Sequence, residues 1–288
     1  MTARELGWAD RLFACSVAVV SIAETAEDAV TVGVARLEPG LPERLAAALD
    51  PGRRLVLRVE GEIAVAASRR RRERPARGGL SLGPASATLP GTLGGALAGP
   101  NGRFSLGLTN AHVLAPEGGA EIGAAVYQPA LADRGAAPPL GRLERILRLD
   151  PDRVLVADAA LIDSPELSRE VIGIGRPRAV GDVRPGDRVR ISGRSSGVST
   201  GIVVATGVEL SVRLGDRRLR MTDQLQYVMP TDGGDSGALL FRDDRPEVVG
   251  LHMAASRHFA YGNRIARVLD ALSGGPGLDG GRGPVRIV

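Results

Sequence analysis

The 288-residue sequence predicts a mainly β protein, a sandwich or barrel, with a small α/β element at its N-terminus and one helix near its C-terminus. Three observations predict it. Gly and Pro, 39 and 19 residues, interrupt the chain often enough to favour turns and short strands over long helices. The apolar runs RFSLGLTNAHVL, RVLVADAALID, TGIVVATGVELSV and EVVGLHMAAS are short and divided by Gly, Pro, Asp and Asn, as in strands joined by tight turns. In the long body only GNRIARVLDAL (262–272) has helical composition. At 43% hydrophobic the chain can bury a sizeable core, and with 3% aromatic residues that core must be Val, Leu, Ile and Ala.

Residues 1–68 read as the α/β element. AVTVGVARL (29–37) and RLVLRVEGEIAVAA (54–67) are β-rich, and LPERLAAALD (41–50) between them is helical, with a proline near its start. Such a small unit needs a surface to pack on, so it is expected as an appendage. The apolar stretch LFACSVAVVSIA (12–23) has the length of a signal-peptide core. Glu5 and Asp10 precede it, and no small-residue cleavage site follows, so a strand is the better reading. It is too short to span a bilayer. Residues 69–77, RRRRERPAR, hold six arginines in nine residues and read as a solvated linker. The competing reading, a nucleic-acid patch, lacks the interleaved aromatics that stack on bases. Residues 78–275 form the main body, and the Gly-rich 276–288 is expected to be a mobile tail.

The net charge is only +4, and all 37 basic residues are arginine, which is a coding bias before it is a partner signal. No nucleic acid and no membrane is therefore expected. The single cysteine, Cys15, excludes an intramolecular disulfide and favours a cytoplasmic home over a secreted one. No cluster has metal-ligand spacing, so neither metal nor cofactor is expected.

The chemistry concentrates around TDGGDSGALLF (231–241), where glycines crowd one hydroxyl, Ser236, ahead of an apolar strand. A nucleophilic serine needs a base, and the base needs an orienting acid. Of three histidines, His112 lies where the strand in GLTNAHVLAP gives way to a turn and can reach a cleft; alone it reads equally as a structural residue. His252 sits inside an apolar run and reads as core or pocket wall, and His258 lies in a polar turn. Asp158, inside VLVADAALID, would be costly to bury without a partner, and an imidazole N–H is such a partner. Asp163, in a turn, is the weaker alternative.

The segments TNAHVL, DAALI, GGDSGALL and VVGLHMAAS, in that order, resemble the four landmark segments of trypsin-like (chymotrypsin-fold) serine peptidases over about 78–272. GRSSGVSTGIV and GNRIARVL are similar to a bacterial intracellular-type branch related to plant Narrow-leaf-type proteins. The resemblance implies two six-stranded antiparallel β-barrels, at approximately 78–175 and 180–275. It implies a His112–Asp158–Ser236 triad with an oxyanion hole at the N–H groups of Gly234 and Ser236, each such donor being worth about 3–4 kcal/mol in the transition state. It places the first substrate pocket at Pro230, Thr231, Asp232, Met253, Ala254 and Ala255, with an uncharged floor at Pro230. The implied activity is hydrolysis of a protein or peptide substrate through an acyl-enzyme, with room for a regulatory partner or a homo-oligomer. In secreted relatives the acid matching Asp235 pairs with an N-terminus freed by cleavage. Here Arg77 could mark such a cut, but an internal partner for Asp235 is preferred. The alternative is a catalytically silent module on the same fold that binds a peptide or protein.

Overall fold

The structure, a computed structural model, describes residues 7–25, 29–59, 68–86, 88–116 and 119–287. The chain divides into two compact units, Met1–Ala67 and Ser68–Val288.

In the first unit, helix Gly7–Cys15 leads into strands Val19–Thr25 and Ala29–Val34, and helix Leu41–Ala48 connects to strand Arg54–Val59. The first two strands pair antiparallel and the last two parallel, as a strand–helix–strand crossover requires. Gly40, at φ 69°, turns the chain into the second helix, and Pro42 sits in its first turn, where no N–H is needed. Leu12, Val30, Val32, Val34, Leu41 and Leu45 close the core of this unit. The stretch at 12–23 is thus the end of a helix followed by a strand. The expected continuation of the third strand over 60–67 lies outside the described residues.

The second unit holds two curled antiparallel sheets, the mainly β fold expected. In the first, the order is Ser81–Pro84, Ala125–Tyr127, Gly141–Leu147, Ala160–Asp163, Leu106–Thr109 and Gly95–Leu97. Gly91–Thr92 runs on into Gly95–Leu97 and pairs back with Ser81–Leu82, so this interrupted strand closes a six-membered ring. In the second, Arg217–Val228, Gly197–Leu214, Arg188–Gly193, Leu239–Arg242, Glu247–Ala255 and Ala260–Arg264 pair in sequence, and the last returns to the first. Ser81–Pro84, Gly95–Leu97 and Leu106–Thr109 are buried along their whole length, and the barrels are filled mainly with Val, Leu, Ile and Ala, as the aromatic-poor composition demands.

Three features differ from the sequence reading. Residues 69–77 are folded onto the second unit instead of forming a solvated linker: Ala76 is buried and strand Ala76–Gly78 pairs with Leu167–Val171. Like-charge repulsion does not extend this stretch, because Arg69 donates to Ser192 Oγ at 2.6 Å, Arg74 to Glu166 at 3.0 Å, and Arg77 pairs with Glu73. The pieces of the second barrel are also not all short: Gly197–Leu214 and Arg217–Val228 form one long hairpin, curved by three register shifts. Finally, the tail is packed. Leu278–Gly280 adds to strand Gly141–Leu147, and Leu278, Val285 and Ile287 enter the core around helix Ile265–Gly274. The buried Arg145 guanidinium donates to the carbonyls of Leu272 at 2.9 Å and Gly283 at 2.7 Å, holding the tail down. Among the described residues no helix is long and apolar enough to cross a membrane.

If the tail is a core element, Ile287→Ala lowers unfolding free energy by about 2–5 kcal/mol, read by guanidinium denaturation. A loss below about 0.5 kcal/mol, the range of changes at open surface positions, would mean that the tail is loose.

Candidate active site

His112 occupies the four-residue helix Ala111–Leu114 that follows strand Leu106–Thr109. The first N–H groups of a helix lack internal acceptors, and Asp158 supplies one: its Oδ1 accepts the His112 backbone N–H at 3.0 Å. Its Oδ2 lies 2.5 Å from His112 Nδ1. Asp158 is only 3% exposed and is fixed from both sides. Its carbonyl accepts from Asn110 Nδ2 at 2.6 Å, and its N–H donates to Asn263 Oδ1 at 3.1 Å. Asn263 is held in turn by Gln224 Oε1 at 2.6 Å, and Gln224 donates to the Val156 carbonyl. Burial alone pulls the His112 pKa down. The charge of Asp158 and its hydrogen bond outweigh that, and the net shift is upward from the ordinary value.

Ser236 lies in the loop before strand Leu239–Arg242. Its hydroxyl donates to the Met253 carbonyl at 2.9 Å, and its own carbonyl accepts from Thr92 N–H at 2.8 Å. Met253 lines the cavity that also touches His112 and Asp158. Among the described hydrogen bonds none joins Ser236 to His112. The loop is fixed by Asp235, which has no exposed surface. Its Oδ1 accepts the N–H groups of Ser195 and Ser196 at 2.8 and 3.0 Å. Its Oδ2 accepts Ser196 Oγ at 2.5 Å and Asp232 N–H at 2.9 Å. Arg69 holds the strand that leads into the Ser195–Ser196 turn through Ser192 Oγ. Gly234 and Gly237, at φ 103° and 96°, carry the chain through left-handed turns around Ser236. Among the described hydrogen bonds, neither Gly234 N–H nor Ser236 N–H donates to a protein group.

The six residues expected in the first pocket separate. Met253 and Ala254 line a cavity of about 100 Å³ beside His112 and Asp158. Pro230 and Asp232 are exposed: the Pro230 carbonyl accepts from Ser199 Oγ at 2.5 Å, and Asp232 faces Gly233 and Asp235. Thr231 is half-buried and Ala255 exposed. Pro230 is therefore not a buried pocket floor. The cavity is completed by Val212, Leu214, Leu219 and Met221 of the long hairpin, which sequence reasoning did not single out. Asn110 and Asn263 were also missed, although both lie inside the quoted segments TNAHVL and GNRIARVL. His252 is buried, as a core histidine should be. Its Nδ1 shares a 2.6 Å hydrogen bond with Tyr227 Oη, and burial lowers its pKa to about 4.

The sequence profile of the trypsin-like peptidase domain matches residues 91–251, more than half of the chain. The chain belongs to the trypsin-like peptidase family. Among solved structures, a Nocardiopsis protease superposes with a TM-score of 0.50 at 16% identity, covering 68% of this chain and 95% of its own. A glutamic-acid-specific serine protease, described as using a histidine triad in substrate binding, reaches 0.50 at 15% identity, covering 68% and 97%. At these identities the likeness is one of fold. No curated protein sequence matches the chain.

A trypsin-like peptidase loop of this kind depends on Gly237 being glycine. A Cβ there would lie 2.3 Å from both Thr109 Oγ1 and the Thr92 carbonyl. Gly237→Ala is expected to destabilise the chain by more than the ~1–2 kcal/mol of a left-handed residue alone, with a lower melting temperature as the readout. A loss below about 1 kcal/mol would mean that the loop is not pressed on the first barrel as described.

Proposed function

We propose that this chain is a serine endopeptidase working through His112, Asp158 and Ser236 and an acyl-enzyme intermediate. The observation that carries the reading is the paired hold of Asp158 on His112, through both ring and backbone, beside the serine loop of a trypsin-like peptidase domain. Asp158 binds Nδ1 and so leaves Nε2 free to act as base, the tautomer that a serine nucleophile requires. The Ser236 hydroxyl leaves the Met253 carbonyl and gives its proton to that nitrogen as Oγ attacks the scissile carbonyl. The imidazolium then protonates the departing amine, and a water molecule repeats the sequence to release the acid. The N–H groups of Gly234 and Ser236 receive the oxyanion. Substrate is a protein or peptide, and Met253 and Ala254 border the bound chain.

No processing is required in this reading. The four donors to Asp235 all come from within the chain, and Arg77 lies in a paired strand, where a cut would open structure instead of completing it. A cytoplasmic home accords with the lone Cys15.

Two measurements test the mechanism. A base must be unprotonated to act, and the pKa of His112 is raised. Hydrolysis of a fluorogenic peptide pool should therefore fall as pH drops, through an apparent pKa above the ordinary histidine value of about 6.5. A midpoint below that value would contradict the Asp158 contact. Asp158→Asn should lower kcat by about 10⁴-fold with little change in KM, the size seen when a triad histidine loses its tautomer. A loss of only a few-fold would exclude Asp158 as the orienting acid.

A further inference from the structure

The arginine-rich stretch is folded, yet several of its guanidinium groups are not used by the fold. Arg70, Arg71 and Arg72 line a recess of about 610 Å³ with Pro129, Asp133 and Arg134. Arg71, Arg72 and Arg134 have no acidic partner among the described residues, and Arg70 reaches Asp133 only at 3.9 Å. Asp133 does not neutralise the recess, because it is already spent. It takes Arg194 Nε and Nη2 at 2.6 and 2.5 Å and Ser81 Oγ at 2.6 Å. The backbone that carries these arginines is fixed. Gln128, itself buried, donates to the Arg71 carbonyl at 2.7 Å and accepts Glu73 N–H at 3.1 Å. Arg134 is held at φ 64°, a left-handed conformation that a side-chain-bearing residue keeps only when its surroundings impose it.

The recess also adjoins the candidate active site. The same Arg194 that pairs with Asp133 lies against Gly234: its Nη1 stands 2.5 Å from where a Gly234 Cβ would be. Arg194 Nη1 also donates to Ser195 Oγ at 3.0 Å, and that hydroxyl donates to the Gly233 carbonyl. Arg194 thus links the Gly234 end of the serine loop to the Asp133 wall of the recess. Among the described residues no aromatic side chain lines the recess, so they offer no stacking platform for a single-stranded nucleic acid. Guanidinium groups match carboxylates in charge and fork geometry.

We infer that this recess is a substrate subsite for acidic side chains, selecting proteins that carry Asp or Glu near the cleaved bond. The inference rests on the peptidase reading above. The Arg194 guanidinium touches both Gly234 and Asp133, so the recess beyond Asp133 receives residues a few positions from that bond, at about 3.3 Å of extended chain per residue.

Binding is tested on the full-length Ser236→Ala chain by fluorescence anisotropy, with a fluorescein-labelled decapeptide of alternating Glu and Ser. The Gln–Ser decapeptide and a ten-residue oligothymidylate serve as comparisons. The Glu peptide should bind at least tenfold tighter than the Gln peptide at 50 mM salt and weaken steeply by 500 mM. The triple variant Arg71→Glu, Arg72→Glu, Arg134→Glu should lose at least tenfold, and the milder Arg71→Gln, Arg72→Gln part of that. Equal binding of the two peptides, or tighter binding of the oligothymidylate, overturns the assignment. Cleavage is tested on the active chain with a proteome-derived peptide library. Asp and Glu should be enriched on one side of the cleaved bonds, and the triple variant should lose the enrichment. Enrichment that survives in the variant also overturns it. A chain that cleaves nothing refutes the peptidase reading alone, and the recess then stands or falls on the anisotropy.

Discussion

The arrangement depends on one buried carboxylate. Asp158 has almost no contact with water, and an ionised group in that position is stable only if its hydrogen-bonding capacity is used. The chain uses it in a way that ties both barrels together. The oxygens take the ring and the backbone of His112 from the first barrel, and the N–H rests on Asn263 from the second. Asn263 leans on Gln224 of the long hairpin. The same hairpin sends Leu214 and Leu219 against the core of the first barrel and closes the cavity beside His112. Orientation of the imidazole and closure of the seam are thus one network, and loosening any member disturbs both.

A second buried carboxylate does for the serine loop what Asp158 does for the histidine. Asp235 has four donors, from Asp232 and from the Ser195–Ser196 turn, and Gly193 leaves room for it: a Cβ there would stand 2.2 Å from Oδ1. Next to it the Asp133–Arg194 pair joins the barrels at the Gly234 end of the site. Burial alone would raise the Asp133 pKa, but Arg194 and Ser81 hold it below the ordinary carboxylate value. A buried pair of this kind adds little net stability, because desolvation offsets most of the attraction, but it fixes geometry.

Much of this was legible in the sequence where local chemistry and tertiary role coincide. The short apolar runs and the frequent Gly and Pro that divide them carry the barrel, and Asp158 betrays its partner by being an acid where an acid is costly. TNAHVL, DAALI, GGDSGALL and VVGLHMAAS carry the family. What was not legible depends on contacts distant in sequence. The stretch 69–77 reads as a repelling linker because its acceptors, Ser192, Glu166 and Gln128, lie far along the chain. The tail reads as mobile from its glycines, whereas Leu278, Val285 and Ile287 and the donors of Arg145 anchor it. The family resemblance places Pro230 at a pocket floor, and a resemblance does not report that its carbonyl is drawn to Ser199.

The central claim is that Ser236 is an activated nucleophile in the chain as it stands. It is tested most directly by intact-mass analysis after reaction with a fluorophosphonate, on full-length protein at a pH above the His112 titration, beside Ser236→Ala. The account predicts one adduct per full-length chain, absent from the variant, with no prior loss of mass. A folded chain that takes up no adduct, or one that labels only after cleavage within 69–77, would contradict it.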